Sequence, residues 1–344
     1  MEETIRRPEW CAIFNPNAGN AKGFKDSGRI SDILRRHGIN FISLTTTGKG
    51  DATEFTRTML AEGYRKIISV GGDGTLNEII NGVFTQAHCH PTEVTIGLIP
   101  VGTGNDWGRM FGIPLVYEGA ASVIKEGKTL LHDIGVIDYH IGSTKHRTYF
   151  INIAGTGFEA AVVFRTNRQK EKGRSNKAIY LYNLLRSLIT YRNTQVEITI
   201  DGSTGNAKIF SINIGNGRYC GGGMRQTPDA LPDDGLFDIT VIKEIGKLEI
   251  IRSLGMLYDG TILSHRKVDG YRSKGLKISS ESKLFIEADG ESLGHTPAEF
   301  SIIPSAINII YAKMLFQYPL SHRDSAIAYR LRISSLLSDP RLSR

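Results

Sequence analysis

No stretch of the 344 residues is apolar for anything near the roughly 18 residues that a bilayer-spanning helix needs, so no membrane span is expected. Cysteine is scarce. Cys11, Cys89 and Cys220 lie far apart and form no C-x-x-C pair, which argues against a disulfide framework and a zinc knuckle and leaves three thiols expected to be reduced. His88-Cys89-His90 offers metal-ligand residue types, but alternate positions on one short segment rarely converge on an ion, so a surface loop is expected there. The stretch Met1–Trp10 is too polar for a secretory signal, and a cytoplasmic address is the expectation. There is no paired-cysteine finger and no aromatic RNP strand, so nucleic acid is not an expected partner. There is also no G-x-x-x-x-G-K-[ST] loop, no H-R-D and no D-F-G, which excludes the P-loop and protein-kinase folds.

What is present is ordinary globular material, 40% hydrophobic and 22% charged, long enough for two domains rather than one. The formal charge of +7 favours polyanionic partners such as nucleotide phosphates or an anionic membrane surface.

The chain is organised around Ile67-Ile68-Ser69-Val70-Gly71-Gly72-Asp73-Gly74-Thr75-Leu76-Asn77-Glu78-Ile79-Ile80-Asn81-Gly82. An apolar run, a glycine turn carrying a carboxylate and a helical pattern read as strand, anion loop and helix. Three glycines within four residues let the backbone approach a bulky anion and take positive φ. A helix beginning near Thr75 aims its unpaired N–H groups and positive dipole end at that anion. Asp73 repels a phosphate chain unless a cation such as Mg2+ lies between them. Gly-Gly-Asp-Gly also suits a plain tight turn.

Three more loops share this context. The strand-like Trp10–Phe14 ends in Asn15-Pro16-Asn17-Ala18-Gly19, with a helical stretch to His37. Asn40–Thr46 is a second strand, followed by Asp51 as a helix cap before Ala52–Ala61. Thr95–Pro100 is the fourth strand, and Pro100-Val101-Gly102-Thr103-Gly104-Asn105-Asp106 opens another helix. Strands alternating with helices predict an α/β domain on a parallel sheet, whose ligands bind at the carboxyl ends of the strands.

The central stretch closely resembles the GGDGT signature of the diacylglycerol-kinase catalytic family, which includes sphingosine and ceramide kinases and soluble bacterial lipid kinases, with NAD kinases as more distant relatives. Asn77–Gly82 is similar to the lipid-kinase side of that divide. Asn15–Gly19 resembles the family's N-P-x-x-G, Pro100–Asp106 its P-x-G-T-x-N-D, and Thr46 a nucleotide-contacting threonine. The resemblance spans roughly residues 8–312 and implies that ATP and Mg2+ are held by Asn15, Pro16, Asn17, Ala18, Gly19, Thr46, Gly71, Gly72, Asp73, Gly74, Thr75, Leu76, Asn77, Glu78, Gly102, Thr103, Gly104, Asn105 and Asp106.

Beyond about Asp133 the texture changes. Asp133–Tyr139, Thr148–Ala154, Gln195–Asp201, Ala207–Ile214, Leu236–Ile242, Lys274–Ser279, Lys283–Ala288, Glu299–Ile303 and Ile307–Tyr311 read as strands with few helices between, which predicts an antiparallel β-sandwich. The expected domains are 1–130, nucleotide-binding; 131–312, carrying the lipid site; and 313–344, a basic helical or disordered tail that could pack back on the first. The resemblance implies the same plan, with the active cleft between the two domains. Gly155-Thr156-Gly157-Phe158-Glu159-Ala160 formally fits a dinucleotide fingerprint, but the chain continues into the basic segment Arg165–Lys177 and an apolar helix, Ala178–Tyr191, without the acidic ribose ligand that a Rossmann unit needs. That basic segment and helix could rest on an anionic membrane, or could be a solvated loop before a core helix.

Asp229-Ala230-Leu231-Pro232-Asp233-Asp234-Gly235-Leu236-Phe237-Asp238, headed by Pro228, resembles the family's P-x-A-x-x-x-D-G-x-x-D block. In bacterial members that block holds a structural Mg2+, and the matching ligands here are the Asp234 carboxylate and the carbonyls of Leu231 and Leu236. Asp289-Gly290-Glu291 matches the family's D-G-E. Asp289 is expected to accept the proton of a lipid hydroxyl and Glu291 to support it or a metal, with Asp73 the rival base, as in sphingosine kinases.

The reading is an ATP-dependent lipid kinase acting on diacylglycerol or a sphingoid- or ceramide-type lipid, peripherally associated with an anionic membrane, with a homodimer left open. An NAD kinase-like enzyme and a non-catalytic nucleotide- or lipid-binding regulator are the alternatives. The lipid itself is written in no stretch of the sequence, because acyl pockets are apolar and degenerate.

Overall fold

The computed structural model describes residues 8–170 and 177–314, and for residue 170 and residues 177–181 it gives only the backbone course. Of the expected tail 313–344, residues 315–344 lie outside the described residues, as does the middle of the basic segment Arg165–Lys177. Contacts divide the chain into two units, one running to His132 and resuming at Ser305, the other Asp133–Pro304.

The first unit alternates strand and helix: β1 (Trp10–Phe14), α1 (Ala18–Arg36), β2 (Phe41–Thr45), α2 (Asp51–Ala61), β3 (Lys66–Gly71), α3 (Asp73–Phe84), β4 (Thr95–Pro100), α4 (Asp106–Met110) and α5 (Tyr117–Glu126). β2, β1, β3 and β4 pair side by side, every pair parallel. The central strands β1 and β3 are almost continuously buried, as strands covered by helices on both faces must be. Because all four run the same way, the loops after Phe14, Thr45, Gly71 and Pro100 emerge at one edge of the sheet.

Asp51 does not cap α2. Gly50, left-handed at φ 91°, holds that position, and Asp51 is the first helical residue. The Asp51 carboxylate instead accepts hydrogen bonds from Thr47 N, Thr47 Oγ1 and Gly48 N, which close the preceding turn and hold the carboxyl below its usual range.

The second unit contains β5 (Thr129–Ile141, entering from the first unit), β6 (Thr144–Phe150), β7 (Ile153–Gly157), α6 (Phe158–Lys170), α7 (Lys177–Thr190), β8 (Thr194–Ile200), β9 (Ser203–Gly215), β10 (Tyr219–Cys220), β11 (Met224–Arg225), β12 (Phe237–Lys243), α8 (Lys247–Asp259), β13 (Val268–Ser273), β14 (Gly275–Ser279), β15 (Phe285–Ala288) and β16 (Glu291–Ile310). Among the pairs with a defined register, every strand pair within this unit is antiparallel. β9 pairs with β8 along its first half and with β7 and β12 along its second, and β16 passes from β15 to β14. These two long strands close the ring β7-β9-β8-β14-β16-β15 around an apolar interior that includes Phe150, Ile212, Phe237, Tyr271, Ile286 and Phe300.

Several expectations are revised. The expected strand Thr148–Ala154 is two strands, broken at Ile151 and Asn152. The two expected strands Glu299–Ile303 and Ile307–Tyr311 fall, except for Tyr311, in the single strand β16, and from Ser305 onward the chain joins the first unit, because Asn308 and Ile309 pair in parallel with Thr95 and Ile96. The dinucleotide fingerprint lies on an antiparallel strand rather than in a βαβ crossover. Gly155 and Gly157 are required there by packing: a Cβ at either would lie within 2.8 Å and 2.6 Å of the Ile212 and Phe210 carbonyl oxygens.

Candidate functional site

The site elements of the first unit begin with two glycine loops packed backbone to backbone. A Cβ on Gly102 would lie 2.7 Å from the Gly72 Cα and 2.9 Å from Asn105 Oδ1, and a Cβ on Gly71 would collide with Thr75. None of Gly71, Gly72 and Gly74 is left-handed, contrary to the expectation from sequence, and Gly72 is extended at φ −109°. These glycines are needed for close approach, not for positive φ.

α3 starts two residues earlier than expected, at Asp73. Gly72 O accepts from Thr75 N and Leu76 N, which leaves the first N–H groups of the helix as its anion-facing end. Asp73 fastens the second loop, with Oδ2 accepting from Asp106 N at 3.2 Å and Oδ1 from Trp107 N at 3.2 Å, a carboxylate at the N-terminus of α4. Asn105, left-handed at φ 50°, donates from Nδ2 to Gly102 O. Its Oδ1 is buried with no hydrogen-bond partner among the described residues, an acceptor suited to a ribose hydroxyl or a hydrated cation. Thr103 is exposed beside it, and a Cβ on Gly104 would lie 3.1 Å from Asp73 Oδ2.

Asn15 joins the first loop to this pair by donating from Nδ2 to Thr75 Oγ1 at 2.9 Å, while its own Oδ1 accepts from Asn17 N. Gly19, Asn20 and Ala21 follow Pro16 and Ala18 in an unusual left-handed run. A Cβ on Gly19 would strike Val101 O, so the first loop leans on the fourth. Other predicted residues face inward. Leu76 is a core side chain, Asn77 is buried and accepts from Asn81 Nδ2, and Thr46 Oγ1 donates to Phe14 O. Glu78 accepts from Gly50 N and Ala52 N and so satisfies the start of α2.

The second unit holds the other predicted group. Asp289-Gly290 is the two-residue turn between β15 and β16, with φ 50° and 80°, the conformation that Asp-Gly suits best. A plain turn does not explain the Asp289 carboxylate. Oδ2 accepts from Ile151 N at 3.0 Å, and Oδ1 from Asn152 N at 3.0 Å and Ile153 N at 3.2 Å, while Asp289 N donates to Ile153 O. Gly290 is held on both sides, its N–H by Glu287 and its carbonyl by Asn167. Glu291 pairs across the hairpin with Ala288.

Residues that no sequence motif singles out complete this corner. Asn152 Nδ2 donates to Tyr219 O and its carbonyl accepts from Asn216 N and Gly217 N, so three loops converge on one asparagine. Glu287 and Glu159 are buried carboxyls. Burial pushes Glu287 well above its ordinary value and Glu159 up to about 8, although Gln226 donates to Glu159. Nothing local in the sequence distinguishes these glutamates from exposed ones.

The expected structural Mg2+ position is less hospitable. Arg272 donates to Asp234 Oδ2 and, through Nε, to Asp238 Oδ2 at 3.3 Å, while Asp234 Oδ1 accepts from Leu236 N. The single carboxylate of the predicted ligand set therefore already has a cation against it.

The sequence comparisons fit this geometry. The profile described as the diacylglycerol kinase catalytic domain matches residues 9–137, and that described as the YegS C-terminal NAD kinase beta sandwich-like domain matches residues 152–311. A diacylglycerol kinase of Staphylococcus epidermidis is 30% identical over 315 residues, covering 91% of this chain and 95% of its own. The chain belongs to the diacylglycerol kinase family. Relatives of that name from Staphylococcus carnosus and Bacillus subtilis are each 29% identical, over 91% and 88% of this chain and 98% and 95% of theirs. A solved Bacillus anthracis structure assigned to the diacylglycerol kinases superposes with a TM-score of 0.70 at 26% identity, over 89% of this chain and 97% of that one.

Proposed function

We propose that this family member is a lipid kinase that moves the γ-phosphoryl group of ATP to the hydroxyl of a lipid, diacylglycerol being the first candidate from the names of its relatives. The observation that carries the nucleotide half is the backbone contact of the two glycine loops at the carboxyl edge of the parallel sheet, where a Cβ on Gly102 would press against Gly72 and force the loops apart. Mg2+-ATP would supply the transferable phosphoryl group and neutralise its charge. The N-terminal turn of α3 faces the phosphates, Asn105 Oδ1 offers an acceptor, and Asp73 keeps α4 beside them. Thr46, Leu76 and Glu78 support the loops from behind.

Asp289 is our candidate acceptor for the lipid hydroxyl proton, with Glu291 in support. The hydrogen bonds around the turn give it a fixed position, which a proton acceptor needs. Asp73 is the competing base. Comparing single-turnover rates of Asp289→Asn and Asp73→Asn, each checked for fold by thermal unfolding, separates the two. Loss of chemistry with retained ATP binding in the first, together with lost ATP binding in the second, supports Asp289. Near-normal turnover in Asp289→Asn removes it.

We also propose peripheral binding to an anionic membrane. Tyr182, Leu185 and Ile189 on α7 recur at helical spacing and are 56%, 51% and 68% exposed, with Arg186 among them. No helix among the described residues is long and apolar enough to cross a membrane.

A further inference from the structure

The turn between β11 and β12 carries Asp229, Asp233 and Asp234, and Asp238 lies just beyond it within β12. Of these, Asp234 and Asp238 are largely buried, with side chains 18% and 6% exposed, and they share one cation, the Arg272 guanidinium projecting from β13. β12 and β13 are antiparallel, with Asp238 directly opposite Arg272, so the strand register delivers the guanidinium to this place. Three further hydrogen bonds tie the turn to the chain itself. Asp133 Oδ2 accepts from Gly235 N at 2.6 Å, Asp133 N donates to Pro232 O at 2.7 Å, and Asp234 Oδ1 accepts from Leu236 N.

We propose that Arg272 stands where the resemblance to bacterial relatives leads one to expect a structural Mg2+, so that this turn folds and stays folded without a metal ion. A divalent ion at Asp234 would have one carboxylate, already bonded to a guanidinium, and would sit against that positive charge. A planar guanidinium bridges two carboxylates with directed N–H groups, which a lone ammonium cannot reproduce. Arg272 acts here on folding and not on phosphoryl transfer, so its role stands or falls apart from the kinase reading.

The test is thermal unfolding of the full chain without nucleotide, first in excess EDTA and then in millimolar Mg2+, for the wild type, Arg272→Met, Arg272→Lys and Asp234→Asn. Wild type should melt at the same temperature in both solutions. Arg272→Met should melt lower in EDTA and recover part of the loss with Mg2+, as the ion takes up the abandoned carboxylates, and Arg272→Lys should fall between. A wild-type midpoint that rises with Mg2+ and loses that rise in Asp234→Asn overturns the proposal, and so does Arg272→Met melting like the wild type. If Arg272→Met does not fold, the metal content of dialysed wild type against Asp234→Asn decides: equal content supports Arg272, and one ion fewer in Asp234→Asn contradicts it.

Discussion

Asp289 and Asp73, both proposed for the chemistry, also hold backbone N–H groups in place, and this changes what an Asn substitution means at each position. In Asp289→Asn the new amide must turn an N–H toward Ile151, Asn152 or Ile153, whose N–H groups now point at the carboxylate. We expect a loss of about 1–3 kcal/mol of stability in addition to a fall in turnover of roughly 10²–10⁴-fold. Urea unfolding beside a turnover assay reads both, and unchanged stability means the three bonds contribute nothing. Glu159 gives a pH prediction. Burial raises it from 4.5 to about 8, so its contribution to stability is complete below about pH 4.5 and is lost as pH climbs toward 8. Glu159→Gln, which mimics the protonated acid, should flatten this decline and stabilise the protein near pH 8 by on the order of 1–3 kcal/mol, as read from unfolding at a series of pH values. A wild type equally stable at pH 5 and pH 8 contradicts it.

Elements were legible where their signal is local. The four strand–loop–helix joints of the first unit could be read because apolar runs, glycines and Asn-Pro punctuation lie side by side in the sequence. Their partners could not: Asp73 meets Asp106 across 33 positions, Arg272 meets Asp234 across 38, and Asp289 meets Ile151 across 138. The break at Ile151–Asn152 was hidden for the same reason, since only Asp289 distinguishes those two residues from the apolar strand around them. α8 went unassigned although Leu248, Ile251, Leu254 and Tyr258 recur at helical spacing, because that stripe is exposed and has no polar face opposite to frame it. For the loops, Gly102→Ala should cut ATP affinity by about tenfold or more, roughly 1.4 kcal/mol, because its Cβ would push Gly72 away. Calorimetric titration showing wild-type affinity would remove these loops from the site. For α7, Leu185→Ser with Ile189→Ser should weaken cosedimentation with anionic vesicles, and binding to the wild type should fall as salt rises. Vesicle binding that is indifferent to both sinks the membrane proposal and leaves the kinase reading intact.

At the scale of the whole molecule, the expectation of two domains of different texture is met. Parallel pairing governs the strands up to Pro100 and antiparallel pairing the ring beyond them, and the chain returns to the first unit only at the end of β16. That return is invisible in the sequence because Ser305–Ile310 has the same strand-like composition as the residues before it. Family membership narrows the chemistry to a kinase without choosing its acceptor, and the NAD kinase-like character of the second profile keeps a soluble dinucleotide in view as the competing acceptor. The central claim is therefore tested most directly by following radiolabel from γ-labelled ATP into diacylglycerol, sphingosine, ceramide and NAD, presented in parallel with and without Mg2+. The account predicts label in a lipid, with Mg2+ required and none in NAD; label in NAD alone, or no transfer to any acceptor by folded protein that binds ATP, would contradict it.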